Sequence, residues 1–257
     1  MRIALFQMTA VPGNVEANLA LIEDAAIRAV ADGAGLLVAP ELATVGYGSG
    51  DAIAANAELR AGRQVAALNE IASAQRLAMI VGFAEREQGR VYNSAVFTDG
   101  RTPPVVYRKS HLYGEYERAI FAPGEPAAVT AQLGALRLGM LICYDVEFPE
   151  NVRRLALAGA DLIAVPTALP AVPEATMISD RMIPVRAFEN QIFVAYANHT
   201  GRDPLFAYAG LSHIAAPDGS TLAKASASEM GLIFADINPA KYAVSREVNS
   251  YLRDLRT

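Results

Sequence analysis

The feature that most constrains the fold of this chain is a recurrence of short apolar runs, each ended abruptly by polar or turn-forming residues. RIALFQM at 2–8, GLLVA at 35–39, LAMIVGF at 77–83, LGMLIC ending at Cys143, DLIAVPTA after Gly159 and residues 191–198 have the length and composition of buried strands. Between them lie stretches with apolar residues at helical spacing. One starts at Asn14, carries Ala17, Leu21, Ala25 and Val30, and stops at Gly33; others span 60–75, 149–157 and 174–189. Residues 91–97 alternate as a hairpin partner of 77–83 should. Further strands are expected at 105–107, 207–216 and 230–237, with a turn at Pro217-Asp218-Gly219-Ser220. Residues 113–124 read as loop or broken helix, and the tail from Pro239 as a short helix with an extended end. No linker or composition shift divides the sequence, so a single α/β domain over 1–257, with helices covering sheets, is expected.

Composition narrows the function. Hydrophobic residues make up 53% of the 257, enough for a large core, and charged residues only 19%. A net charge of -5 without basic clusters argues against a nucleic-acid binder. No apolar stretch approaches the ~20 residues that cross a bilayer, and MRIALFQMTA lacks the pattern of a signal peptide, so no membrane association is expected. With one cysteine, Cys143, there is no intrachain disulfide, and a reducing, cytoplasmic setting is expected. His111, His199 and His213 are scattered and form no ligand pair with one another or with Cys143, so neither a metal nor a cofactor is expected.

Chemistry-bearing residues sit at three strand ends. Glu41 follows GLLVAP, Lys109 follows PVVYR and Cys143 follows LGMLI. In α/β folds such positions line the crevice where ligands bind. Each alone has an ordinary alternative: a solvated carboxylate, a surface lysine, a buried structural thiol. The turn after Cys143 leads into a helix at Pro149, whose dipole is expected to favour thiolate.

Taken together, PELATVGY, YRKSHLYGEYERAIFAPG and LICYDVEFPE resemble, in order and spacing, the signature blocks of the nitrilase superfamily of carbon–nitrogen hydrolases. The resemblance runs from RIALFQ to APDGS and beyond. It implies a four-layer α-β-β-α sandwich with a Glu–Lys–Cys triad, matched here by Glu41, Lys109 and Cys143. A second family glutamate precedes a Pro-Gly; Glu117 matches it, with Glu115 as the alternative. Such a triad would hydrolyse a small-molecule amide through a thioester, with Lys109 and the Tyr144 N–H stabilising the oxyanion. No histidine is required. His111 is expected to brace the lysine loop, His199 and His213 to be structural, and Asp145 to cap the helix that follows.

Among subgroups the chain looks most like 5-aminopentanamidase and short-chain aliphatic amidases. True nitrilases commonly carry Trp after the cysteine, where this chain has Tyr144 and no Trp anywhere. An N-carbamoyl amine hydrolase or a nitrilase on the same triad is the alternative, and an idle binding or scaffold protein a third reading. Tyr47, Tyr113, Glu115 and Asn198 are candidate substrate contacts. So is Glu147, which could attract a substrate ammonium, although an ion pair with Arg153 or Arg154 is the preferred reading. The family resemblance further implies a homodimer or higher homo-oligomer.

Overall fold

The computed structural model describes residues 1–256 and contains two six-stranded sheets. The first is built from β1 (Arg2–Gln7), β2 (Leu36–Val38), β3 (Ala78–Glu87), β4 (Arg90–Thr98), β5 (Val105–Arg108) and β12 (Gly231–Asp236), in the order β12-β1-β2-β3-β4-β5. The second contains β6 (Thr130–Leu133), β7 (Leu136–Met140), β8 (Leu162–Thr167), β9 (Phe193–Asn198), β10 (His213–Ala215) and β11 (Thr221–Lys224), in the order β11-β10-β9-β8-β7-β6. Each sheet has three adjacent parallel strands, β1-β2-β3 and β7-β8-β9, flanked by antiparallel partners. The two halves of the chain thus repeat one pattern of pairing, without a fixed-period sequence repeat.

Alternation within the strands makes four layers. On β1, Ile3 and Leu5 join the core shared with Leu138, Met140, Leu162 and Ala164 of the facing sheet. Ala4 and Phe6 point the other way, against Ile22, Ala25 and Ala29 of α1 (Val15–Ala31) and Val65 and Leu68 of α3 (Arg63–Gln75). On the far side, Val152 and Leu155 of α5 (Pro149–Leu157) and Ile183 and Ala187 of α7 (Ile183–Asn190) cover the second sheet. The Asn14 side chain caps α1 at the Ala17 N–H, as its position at the start of the apolar pattern requires. The result is the single-domain α-β-β-α sandwich implied by the sequence. Among the described residues, no helix is long and apolar enough to cross a membrane.

Two expectations need correcting. Only His213–Ala215 of the expected strand 207–216 joins the second sheet. Gly210 and Leu211 have φ of 63° and 59°, which breaks the strand, and the N–H groups of Ala209 and Gly210 bind the Leu169 and His199 carbonyls instead. The helical stretch 174–189 is also not uniform: a widened turn at Ile178–Met182 precedes Pro184, which has no N–H to give to a regular ladder. Residues 113–124, by contrast, contain one definite helix, α4 (Gly114–Ile120), as well as loop.

The segment after β2 lies directly on β3. The Gly82 N–H donates to the Pro40 carbonyl at 3.1 Å, and the Gly82 carbonyl accepts from Thr44 at 3.3 Å. A Cβ on Gly82 would collide with backbone atoms of Glu41 and Leu42, which cannot swing aside as a side-chain tip could. We therefore expect Gly82→Ala to cost about 1–3 kcal/mol of stability, measured by urea unfolding. It should also displace Glu41.

Candidate active site

Glu41, Lys109, Cys143 and Glu117 come from four separate segments and meet at the ends of β2, β5 and β7 and inside α4. Lys109 is 1% exposed, and its Nζ lies 2.7 Å from Glu41 Oε1 and 2.6 Å from Glu117 Oε1. Asn93 Nδ2, on β4, donates to the same Glu41 oxygen at 2.7 Å. Glu41 Oε2 is buried with no hydrogen-bond partner. One oxygen of Glu41 is therefore fixed by two donors, and the other is left available for proton transfer.

Glu117 is fixed from three directions. Besides Lys109, Tyr47 Oη donates to its Oε1 at 2.9 Å and the Tyr113 N–H to its Oε2 at 2.8 Å. Glu115, two residues earlier on α4, is exposed and faces away. The geometry thus decides between the two glutamates in favour of Glu117.

The electrostatics follow from burial. Desolvation alone would discharge Lys109, but the carboxylates of Glu41 and Glu117 outweigh it and hold the ammonium charged. Burial, reinforced by Glu41, pushes the Glu117 carboxyl up, while Lys109 opposes the shift. Burial also pushes the Cys143 thiol well above the ordinary thiol range; Glu41 adds to this, and Lys109 and the Ala168 N–H pull the other way. The expectation of a helix-stabilised thiolate is therefore overturned. Between Cys143 and α5 lies only the short 3-10 turn Cys143–Glu147, and burial beside carboxylates dominates. A thiol of this kind needs a base to take its proton as it attacks.

Backbone strain marks both ends of this arrangement. Cys143 has φ of 45° and Leu42, next to Glu41, has φ of 50°, positions that L-residues other than glycine occupy at a cost. The turn at Cys143 projects the thiol at a strand end. The N–H of Tyr144 falls in the first residues of the turn, which have no partner within it.

Asp145 does not cap α5 as expected. The N-cap position is Phe148, with no side-chain cap, and Asp145 is instead buried at a junction. Its carboxylate accepts from Tyr107 Oη (2.8 Å), Ser110 Oγ (2.8 Å) and the His111 N–H (2.9 Å), and lies 2.9 Å from His111 Nδ1. The lysine loop and the cysteine turn are bound together through this one side chain. His111 does brace the lysine loop, and its ring stacks on Phe148 at 3.9 Å.

The remaining candidates divide. Tyr113 is exposed and packs edge-on against Tyr144 at 5.2 Å, at the rim of the site. Tyr47 is committed to Glu117 and is not a free pocket wall. Asn198 is corrected from substrate contact to scaffold: its Oδ1 accepts from the Leu169 N–H at 2.8 Å and its Nδ2 donates to Gly210 O at 2.5 Å. Glu147 makes no ion pair with Arg153 or Arg154 among the described residues; Arg154 instead donates to Asn151 Oδ1 at 2.8 Å. Burial raises the Glu147 carboxyl, opposed by the charges of Lys109 and Arg186. Asn93 escaped the sequence reading, although a lone Asn in the apolar strand VYNSAVF was a signal for it, and Asp145 was read there only as a cap.

Removing the ammonium should expose the balance of these charges. Lys109→Met leaves Glu117 buried without its cation, which costs about 3–5 kcal/mol. A carboxyl whose folded pKa is raised stabilises below its unfolded value and loses that contribution as pH rises through the folded value. The deficit of the variant against wild type should therefore be largest near neutrality and shrink towards about pH 5. Urea unfolding across that range measures it.

Residues 2–247 match the carbon-nitrogen hydrolase family model. The chain is 42% identical to a hydrolase of Pseudomonas protegens, over all of this chain and 89% of that one. It is 34% identical to an (R)-stereoselective amidase of a Pseudomonas species, over all of this chain and 92% of the other. Among solved structures, a mutant of the amidase from Nesterenkonia sp. AN1 superposes with a TM-score of 0.87 at 37% identity, over 100% of this chain and 94% of that one. That structure shows covalent addition of the acetamide moiety of fluoroacetamide at the active-site cysteine. With a family match along almost its whole length, this chain belongs to the carbon–nitrogen hydrolases of the nitrilase superfamily, enzymes acting on non-peptide C–N bonds.

Proposed function

We propose that the protein is an amidase converting a small aliphatic amide to its carboxylic acid and ammonia through a thioester on Cys143. The observation carrying this reading is the buried ammonium held between two carboxylates, with Glu41 Oε2 unpartnered, at strand ends that also deliver a cysteine whose thiol burial pushes up. In the mechanism, Glu41 takes the thiol proton as Cys143 attacks the amide carbon. Lys109 Nζ and the Tyr144 N–H receive the developing oxyanion. Collapse of the tetrahedral adduct passes the proton from Glu41 to nitrogen, and ammonia leaves. Water, deprotonated by Glu41, then attacks the thioester; the acid is released and the thiol regains its proton. Glu117 orients substrate and holds Lys109.

Within that class we favour ω-amino amides. Glu147 has no ion-pair partner among the described residues and lies four residues from the nucleophile, so a substrate ammonium is a natural partner for its carboxylate. An N-carbamoyl amine hydrolase is the second reading, since the same triad would release carbon dioxide as well as ammonia. The same proposal takes the enzyme as a cytoplasmic homodimer, on the strength of the family resemblance and the single free cysteine.

The test is ammonia and carbon dioxide release across aliphatic amides, ω-amino amides, carbamoyl amines and nitriles. Ammonia without carbon dioxide, from amides, is the expected result. Cys143→Ala should release no ammonia while keeping the wild-type unfolding midpoint, and intact-mass measurement should find an acyl adduct on wild type alone. Turnover by Cys143→Ala would sink the mechanism. Glu147→Gln should lose about tenfold in kcat/KM on an ω-amino amide and little on the matched neutral amide. Equal losses on both would rule out the ammonium contact.

A further inference from the structure

His199 lies just past β9, is 1% exposed, and stands where the two sheets meet. Met8, after β1 of the first sheet, forms an isolated parallel bridge with it, and the Thr200 N–H donates to the Met8 carbonyl at 2.9 Å. From this seam the imidazole reaches the segment that carries the general base: His199 Nε2 is 2.7 Å from the backbone carbonyl oxygen of Glu41. Its Nδ1 is 3.3 Å from the Met8 carbonyl.

Both ring nitrogens face oxygen acceptors, so the tautomer has to be argued. Burial lowers the His199 pKa, which favours the neutral ring with one proton to place. The Met8 carbonyl already receives the Thr200 N–H, whereas no other described residue donates to the Glu41 carbonyl. The shorter contact is also the one to Glu41. The proton therefore belongs on Nε2, and His199 is the donor that satisfies this carbonyl. Without it a buried C=O would be orphaned in the peptide joining Glu41 to Leu42. That peptide precedes the Leu42 φ of 50°, a strained conformation that holds only while its surroundings fix it.

We infer that His199 is a positioning residue for the reaction: its Nε2–H fixes the Glu41–Leu42 peptide and so aims the Glu41 carboxylate at the Cys143 thiol. It touches neither substrate nor thiol and exchanges no proton. The inference rests on the reading of Glu41 as general base. It deepens that reading by placing part of the base's orientation on the other sheet, across a seam that packing of either sheet can shift.

The test exploits side-chain reach. Glutamine can offer its amide N–H near the place of Nε2; asparagine is shorter and mimics Nδ1. We expect His199→Gln to keep kcat within about threefold of wild type, and His199→Asn and His199→Leu to lose about 10- to 100-fold in kcat with KM nearly unchanged. The rate of Cys143 alkylation by a small neutral electrophile should fall in step, since it reads how well Glu41 takes the thiol proton. A merely structural role would lower the unfolding midpoints of all three alike without separating Gln from Asn. Equal activity of those two variants, or wild-type kcat in His199→Leu, would overturn the inference. Glu41→Gln serves as reference. If it remains active, the base reading and this inference fall together. If it is dead while His199→Asn keeps wild-type kcat and alkylation rate, only the inference falls.

Discussion

The structure depends on a buried ammonium. Lys109 has no exposed side-chain surface, and taking an ion that far from water costs several kcal/mol unless its partners are close and are themselves satisfied. Glu41 and Glu117 supply the charge, while Asn93 binds the Glu41 oxygen that Lys109 also touches, Tyr47 and the Tyr113 N–H bind Glu117, and Glu41 Oε2 is left without a partner. Two carboxylates for one ammonium leave the group net negative. Burial first, and Glu41 after it, pushes the neighbouring thiol up, so in the proposed mechanism ionisation is deferred until a substrate carbonyl is in place to take up the negative charge as an oxyanion near Lys109. A resting thiolate would be more open to oxidation and alkylation. In the proposed mechanism the same charges that disfavour the thiolate become useful once attack begins, because the proton has a carboxylate oxygen waiting and the oxyanion has an ammonium.

Holding such a group to within a fraction of an ångström cannot be left to the side chains themselves. Each comes from a different strand end or helix, and the connections between them are made by buried polar residues. Asp145 binds the lysine loop to the cysteine turn through Tyr107, Ser110 and His111, and Asn151 closes the junction by donating to the Asp145 carbonyl at 3.0 Å. Gly82 lets the Glu41 segment lie on β3. These residues perform no chemistry, yet they decide where chemistry can occur.

What the sequence made legible follows from the range of each interaction. Strands and helices were readable because periodicity is local: RIALFQ and GLLVA carry their own pattern. The strand ends were readable for the same reason and put Glu41, Lys109 and Cys143 forward one by one; the resemblance of the three blocks to a known family joined them as a set. The choice between Glu115 and Glu117 was not, since both occupy α4 and only the position of Lys109 and Tyr47 separates the buried one from the exposed one. Asp145 was misread as a cap of α5 because sequence proximity suggests a contact there, and its partners on the lysine segment lie 34 to 38 positions away. Asn198 failed in the same way. An amide near the site in sequence turned out to be spent on the loops around Leu169 and Gly210. The 207–216 strand was lost to the left-handed pair Gly210-Leu211, a conformation that the apolar pattern does not record.

Leu42, beside Glu41, and Cys143 both hold φ values that cost of order 1–3 kcal/mol for a residue with a side chain. Relaxing either would swing Glu41 or Cys143 out of the place its neighbours hold it in, and both are free to relax only if those neighbours let go. Around Cys143 the restraint is Asp145, which also accepts from the Ile142 N–H at 3.3 Å. Around Leu42 it is the ladder of contacts from Pro40 to Thr44 onto Gly82. The first restraint is a charged side chain reaching across from the cysteine turn itself; the second is backbone lying on backbone. A scaffold that uses two unlike devices to hold two strained turns on opposite sheets can keep Glu41 and Cys143 aligned only while the sheets stay packed, so the large apolar core between them is as much a part of the candidate site as the lysine at its centre.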